Sequence, residues 1–244
     1  MKAIILAAGY ATRLYPLTID KPKALLPIAG RTILDRLIDE MHTIAEIDEI
    51  HLVTNHRFAK VFEEWNASEE RKIPVTVWDD GTTDNDNRLG AIGDVNFVLK
   101  NTCIDDDLLI AASDNLFTFP LKELTDDFHR HGCDCLLGKK IDNINDLRRF
   151  AVATIAPNGQ VTSLVEKPAE PQSDIGIYAI YCYRRDTVPM IAQYLEEGNN
   201  PDAPGHFPEW LYQKKDVRVY TFDGECVDIG TVEAYHDVCE RWAK

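Results

Sequence analysis

The sequence is short of positive charge: 26 Lys and Arg stand against 41 Asp and Glu, a formal net charge of −15 over 244 residues. That surplus of acid argues against a chain built to coat nucleic acid or an anionic membrane surface. None of the six cysteines (103, 133, 135, 182, 226 and 239) forms a Cys-x-x-Cys pair. A zinc site is therefore not expected, and the thiols read as reduced, buried and cytosolic. Gly-x-x-x-x-Gly-Lys-Ser/Thr and Gly-x-Gly-x-x-Gly are also missing, which argues against a P-loop enzyme and a dinucleotide-dependent dehydrogenase. Long apolar runs are lacking too. The opening MKAIILAAG suits a buried strand, not a membrane span or a secretory core with a polar flank and cleavage site.

What is present is enough apolar material, 45% of the chain, for a sizeable core. Residues 2–8, 49–55, 73–78 and 107–115 read as strands; 32–44, 57–67 and 90–101 carry helical periods. This alternation predicts an α/β fold with a doubly wound, largely parallel but mixed sheet flanked by helices. The second half turns hairpin-rich, with PNGQ (157–160) joining two strand-like segments. Helical patterns return at 186–198, 206–215 and 231–244. We read one domain over 1–244, whose hairpin-rich second half, after residue 115, completes the same sheet. The last helix has an apolar face of Val232, Tyr235, Val238 and Trp242, assigned to core ahead of an interface; the sequence does not decide whether the chain forms a homo-oligomer.

The scarce positive charge is unevenly spread. Residues 1–31 hold Lys2, Arg13, Lys21, Lys23 and Arg31 against one acid, Asp20. LAAGYATRLYPLTIDKPKALLPIAG (6–30) places a turn of small residues at the carboxyl end of a strand, where open α/β sheets bind ligands. Small residues let backbone N–H groups approach phosphate, and Arg13 and Lys23 add a planar fork and a mobile point charge. The loop suits an anion.

That stretch, with AASDN after a central strand, SLVEKP after a hairpin and ECVDIGT before the last helix, strongly resembles the signatures of the sugar-1-phosphate nucleotidylyltransferases. The four motifs occur in the family's order and cover most of the chain. The resemblance implies a Rossmann-like nucleotidyltransferase fold, with a nucleotide-binding half over 1–115 and an acceptor-binding half over 116–244. It also implies that a nucleoside triphosphate and a phosphate-monoester acceptor, typically a sugar 1-phosphate, are joined with release of pyrophosphate in the cytoplasm. Leu6, Ala8 and Gly9 would then meet the nucleotide, Gly90 would pack against its base, and Asn85 would take the place of a base-reading Gln. Arg13 and Lys23 would hold the phosphates and act in catalysis, and Asp114 and Asp228 would hold Mg²⁺. Glu166, Lys167, Ala151 and Tyr178 would face the acceptor. The likeness to short thymidylyl- and cytidylyl-type enzymes implies a pyrimidine nucleotide: dTTP, UTP or CTP.

The chain departs from the family at several of these places. Ala11 stands where Gly is usual in G-x-G-T-R; a methyl is tolerated there if φ is negative, so altered fit is expected rather than loss of function. Ser113 replaces the Gly of GDN. Ala151 replaces the Gly of YGV, and Tyr178–Ala179 stand in the segment usually written VTGLY. The added groups would reshape the acceptor pocket, so a non-sugar phosphate, such as a phosphorylated alcohol or amino acid derivative, is the alternative acceptor. The left-handed β-helix of bifunctional relatives is not expected. A catalytically inactive ligand sensor is the competing reading; the joint presence of Arg13, Lys23, Asp114, Lys167 and Asp228 argues against it.

Overall fold

The computed structural model describes residues 1–242, and Asp228 by its backbone alone. It opens with β1 (Lys2–Leu6), whose Ala3 and Ile5 enter one apolar cluster while Ile4 enters another. That alternation is what a strand covered on both faces requires. A long loop follows, pinned by a small ribbon of β2 (Pro27–Ile28) and β3 (Arg31–Thr32). Next come α1 (Ile33–Met41), β4 (Glu49–Thr54), α2 (His56–Ala67), β5 (Val75–Asp79), α3 (Ala91–Asn101) and β6 (Leu108–Ala112). The α1 helix starts at Thr32, whose hydroxyl oxygen accepts from the Asp35 N–H at 3.0 Å, and it buries Leu34, Leu37, Ile38 and Met41 at helical spacing. Asn55 caps α2 in the same way.

The second half supplies β7 (Asn115–Phe117), α4 (Lys122–His131), β8 (Asp134–Lys140), α5 (Ile144–Leu147), β9 (Ala151–Ile155), β10 (Val161–Glu166) and β11 (Ile175–Tyr183). After them come α6 (Met190–Glu196), α7 (His206–Leu211), β12 (Val217–Thr221), β13 (Cys226–Asp228) and α8 (Val232–Trp242). Strands of both halves join one nine-stranded mixed sheet, β10-β9-β11-β6-β1-β4-β5, with β8 and β12 continuing from β11. Only β10 and β11 run against the others. The PNGQ turn closes as expected, with Gly159 at φ +84° between β9 and β10.

Helices cover both faces. Beneath α1, α2 and α4 lies one cluster with Leu34, Phe62 and Phe128; beneath α3, α6 and α7 lies another with Val98, Ile191 and Phe207. A third cluster joins the first loop to α8 through Leu14, Ile28, Tyr235 and Val238, with Val232 and Trp242 packed against it. The apolar face of the last helix is thus core.

Some boundaries differ from expectation. The helix expected over 186–198 begins only at Met190, because Pro189 has no N–H to give and serves as its first-turn residue. The 206–215 helix stops at Leu211. The α4 helix and β12 were not foreseen. Of the cysteines, only Cys135 and Cys182 are buried and Cys103 is exposed, so the expectation of buried thiols holds for two of six.

One feature of the sheet leaves an opening in it. Along a single edge of β11, residues Ile180–Tyr183 pair with β6 while Ile175–Ile177 pair with β9. The two partners lie end to end, β6 stopping at Ala112 and β9 starting at Ala151. Tyr178 and Ala179 stand at the gap.

Candidate active site

The carboxyl ends of β1 and β6 are neighbours, and the chain leaves β1 toward β4 but reaches β6 only by returning through α3. This reversal point of the winding is where a crevice forms. Three compartments open there, and Pro204 lines all of them.

The first compartment, about 310 Å³, is lined by Leu6, Ala8, Gly9, Asn85 and Gly90, all five of the residues assigned to the nucleotide. Gly90 has φ +80°, and a Cβ there would stand 2.5 Å from the carbonyl oxygen of Pro201. The reason found for this glycine is therefore the loop at 201–202, whose carbonyls accept from the N–H groups of Ala91 and Ile92, each at 2.9 Å. Asn85 is exposed, and its Oδ1 accepts from Arg88, which also pairs with Asp202. Tyr10, Arg88, Asp94, Asp202 and Ala203 line this compartment as well and were not singled out from sequence.

The second compartment, about 340 Å³, holds Arg13, Lys23 and Asp114 with Gly9, Ser113 and Gly230. The Lys23 ammonium donates to Asp114 at 2.7 Å. Ala11 beside them is left-handed, φ +47°, so the negative φ on which tolerance of its methyl depended is not met. Its carbonyl accepts from Leu14 N–H and from the Thr18 hydroxyl, which hold the loop in that bend. The side chain of Asp228 lies outside the described residues; its backbone pairs with Asn115 between β13 and β7, next to Asp114.

The third compartment, about 200 Å³, opens at the gap between β6 and β9 and contains Ala151, Glu166, Lys167 and Tyr178, the four residues assigned to the acceptor. The Glu166 side chain is 6% exposed and pairs with Lys167 at 3.5 Å. Burial pushes its carboxyl up, against the pull of Lys167 and His206. Lys167 itself is left-handed at φ +45° and its N–H is held by the Phe150 carbonyl, so the backbone turns its side chain out of the strand line. Tyr178 packs on Phe150 and Phe222. Arg149 lines this compartment and was missed. Its place directly before the expected Phe150–Ala151 strand start was the available signal.

A family model described as "Nucleotidyl transferase" matches residues 2–244. The chain belongs to the nucleotidyl transferase family. A Sulfolobus acidocaldarius relative, named for mannose-1-phosphate guanyl transfer, is 27% identical over 235 residues, covering 96% of this chain. A Streptomyces griseus glucose-1-phosphate thymidylyltransferase is 24% identical, covering 95% of this chain. This chain spans 61% and 63% of those two proteins' lengths. Other relatives are named for uridylyl and adenylyl transfer. The fold matches the crystal structure of UDP-glucose pyrophosphorylase with UDP-glucose at a TM-score of 0.83, 18% identity and coverage of 99% and 97% of the two chains. Among the described residues, no helix is long and apolar enough to cross a membrane.

Proposed function

We propose that this chain joins a nucleoside triphosphate to a sugar 1-phosphate, giving a nucleoside-diphosphate sugar and pyrophosphate. The observation that carries this reading is the junction. Arg13, Lys23 and Asp114 sit in a compartment that shares Leu6 and Gly9 with the nucleotide side, and Ala112 and Asp114 with the acceptor side. An acceptor phosphate oxygen attacks the α-phosphorus there, the α–β bridging bond breaks, and its electrons leave on pyrophosphate.

Such chemistry asks for positioning and positive charge more than for covalent help. Arg13 would hold the triphosphate and the leaving pyrophosphate, and Lys23 would face the α-phosphate. Glu166 would accept from acceptor hydroxyls while Lys167 meets its phosphate. The donor set fits Mg²⁺: Asp114 presents hard carboxylate oxygens and already holds a cation, the Lys23 ammonium. Among the described residues no three His, Cys, Asp or Glu side chains are gathered for a metal. Asp114 and Asp228 would hold the ion, with water and phosphate oxygens completing its shell. Bound there, Mg²⁺ supplies charge to the transferring and leaving phosphates.

The relatives' names run across guanyl, adenylyl, uridylyl and thymidylyl transfer. The pyrimidine preference read from sequence has no support from them, so the proposal names no base. The free thiols suit a reducing, cytoplasmic setting. The test is pyrophosphate release with Mg²⁺, each of ATP, GTP, CTP, UTP and dTTP being offered with sugar 1-phosphates and with phosphorylated alcohols. Release that needs one nucleotide and one sugar 1-phosphate supports the reading. Release with non-sugar acceptors only would replace the acceptor class, and nucleotide binding without turnover would favour the sensor.

A further inference from the structure

The nucleotide compartment rests on two acidic side chains that the chemistry above does not use. Asp94, in the first turn of α3, lines the compartment and is only 5% exposed. Its Oδ1 is buried with no hydrogen bond from any donor in the protein, and Oδ2 of Asp80, just past β5, is in the same state. The Asp94 carboxyl lies beside that of Asp80, which acts on it. A carboxylate only accepts, so two buried carboxyls with no other donor can bond to each other only if one of them carries a proton. Burial, with Asp80 beside it, pushes the Asp94 carboxyl up to about 8, which favours a proton there at neutral pH.

From Asp80 the contacts continue to the first loop. Its Oδ1 accepts from the N–H and the hydroxyl of Thr82, both at 2.7 Å. The Thr82 carbonyl accepts from the Tyr10 hydroxyl at 3.2 Å and from the His56 N–H at 2.9 Å. Tyr10 is buried and stands between Gly9 and Ala11. Among the described residues, Asp80 is the charged group acting on Asp94. Arg88, Lys167 and Asp202 line the same compartment as exposed residues, the His56–Asp79 pair flanks the turn, and Asp84 acts with Asp80 on Tyr10.

We propose that Asp94 is a positioning residue for the nucleotide: a proton shared with Asp80 fastens α3 to the 80–82 turn and, through Thr82 and Tyr10, to the loop that meets the nucleotide. This rests on the reading that the compartment holds the nucleotide. When both carboxyls are charged, two buried like charges face each other and the fastening is lost. The sign follows from a folded carboxyl that holds its proton longer than the unfolded one. Its contribution to stability is full below about pH 4, falls as pH rises toward about 8 and is flat beyond. Nucleotide affinity, which needs the fastened form, falls above about pH 8.

The test measures dissociation constants by calorimetry for ATP, GTP, CTP, UTP and dTTP with Mg²⁺ at pH 7 and 9. Thermal unfolding of the nucleotide-free protein is followed in parallel from pH 5 to 9. Wild type is expected to lose about tenfold in affinity for the nucleotide it binds. Asp94→Asn keeps a donor for Asp80 and is expected to bind within about twofold of wild type at pH 7 and to stay flat to pH 9. Its stability relative to wild type should rise between pH 5 and 8. Asp94→Ala should bind weakly at both pH values, and in the Asn variant nucleotide KM should lose its pH dependence. An Asn variant with the wild-type binding profile would overturn the proposal, as would a flat wild-type profile. Wild type binding none of the five overturns the nucleotide reading and the positioning role together. The nucleotide-free unfolding profile distinguishes that result from failure of the shared proton alone.

Discussion

The Lys23 ammonium lies 2.7 Å from an oxygen of Asp114, across 91 residues of sequence. The pair is 11% and 36% exposed, sheltered enough for the attraction to be felt and open enough for a substrate to enter it. On the proposed function Lys23 would face a phosphate and Asp114 a metal ion, and in the free protein the two hold each other.

Asp114→Ala is expected to lower pyrophosphate release by at least about 100-fold, the scale for losing one electrostatic element of such a site. Nucleotide binding without Mg²⁺ should be kept, because Arg13 and Lys23 remain. Calorimetry alongside the rate assay reads both, and full activity in the variant would remove Asp114 from the mechanism.

Glu166 gives a pH dependence on the acceptor side. Its carboxyl is held up by burial, so it loses charge on acidification earlier than an ordinary glutamate. Acceptor KM should rise as pH falls from 7 to 5 while nucleotide KM changes less, and Glu166→Gln should raise acceptor KM and abolish this dependence. The effect on stability runs the other way. A carboxyl raised in the folded state costs stability as pH climbs through its folded value, so the Gln variant should gain on wild type toward neutral pH.

Ala11 carries a side chain in a left-handed bend, φ +47°, at a typical cost of about 1–2 kcal/mol. Ala11→Gly should recover part of that, raising the unfolding midpoint by roughly 2–4 °C per kcal/mol for a chain of this size. Differential scanning calorimetry decides; an unchanged or lowered midpoint would show that glycine's extra unfolded-state freedom cancels the gain.

Gly90→Ala should do the reverse. The left-handed φ and the Pro201 carbonyl at 2.5 Å from the new methyl both act against it. A loss of about 2 kcal/mol or more is expected, with a raised nucleotide KM as the 201–204 loop shifts. Wild-type stability and KM together would contradict the packing described for this loop.

Much of the architecture was legible because the burial it requires is periodic. KAIIL, EIHLVT and the apolar spacing of α1 each declare their element by themselves. The α4 helix does not: between Lys122 and His131 only Leu124 and Phe128 carry an apolar stripe, among charged neighbours. Site residues were legible where they cluster locally, as in the first loop and in EKP. Asp80 and Asp94 were not, since their relationship exists only once β5 and α3 are folded together. Nor could the sequence show that the glycine-and-proline stretch near residue 200 walls all three compartments, or that Ala11 would need a left-handed φ.

The end-to-end meeting of β6 and β9 on β11 has a consequence for how such a protein can diverge. The opening is made by where strands stop, not by which side chains are small. Residues 151, 178 and 179 trim a hole that the sheet keeps open regardless. If that opening takes the acceptor, as proposed, exchanging them would retune it with little disturbance of ladder hydrogen bonds or of the cationic loop on the far side of Asp114. On that function, a lineage could change the molecule it activates without rebuilding the machinery that activates it.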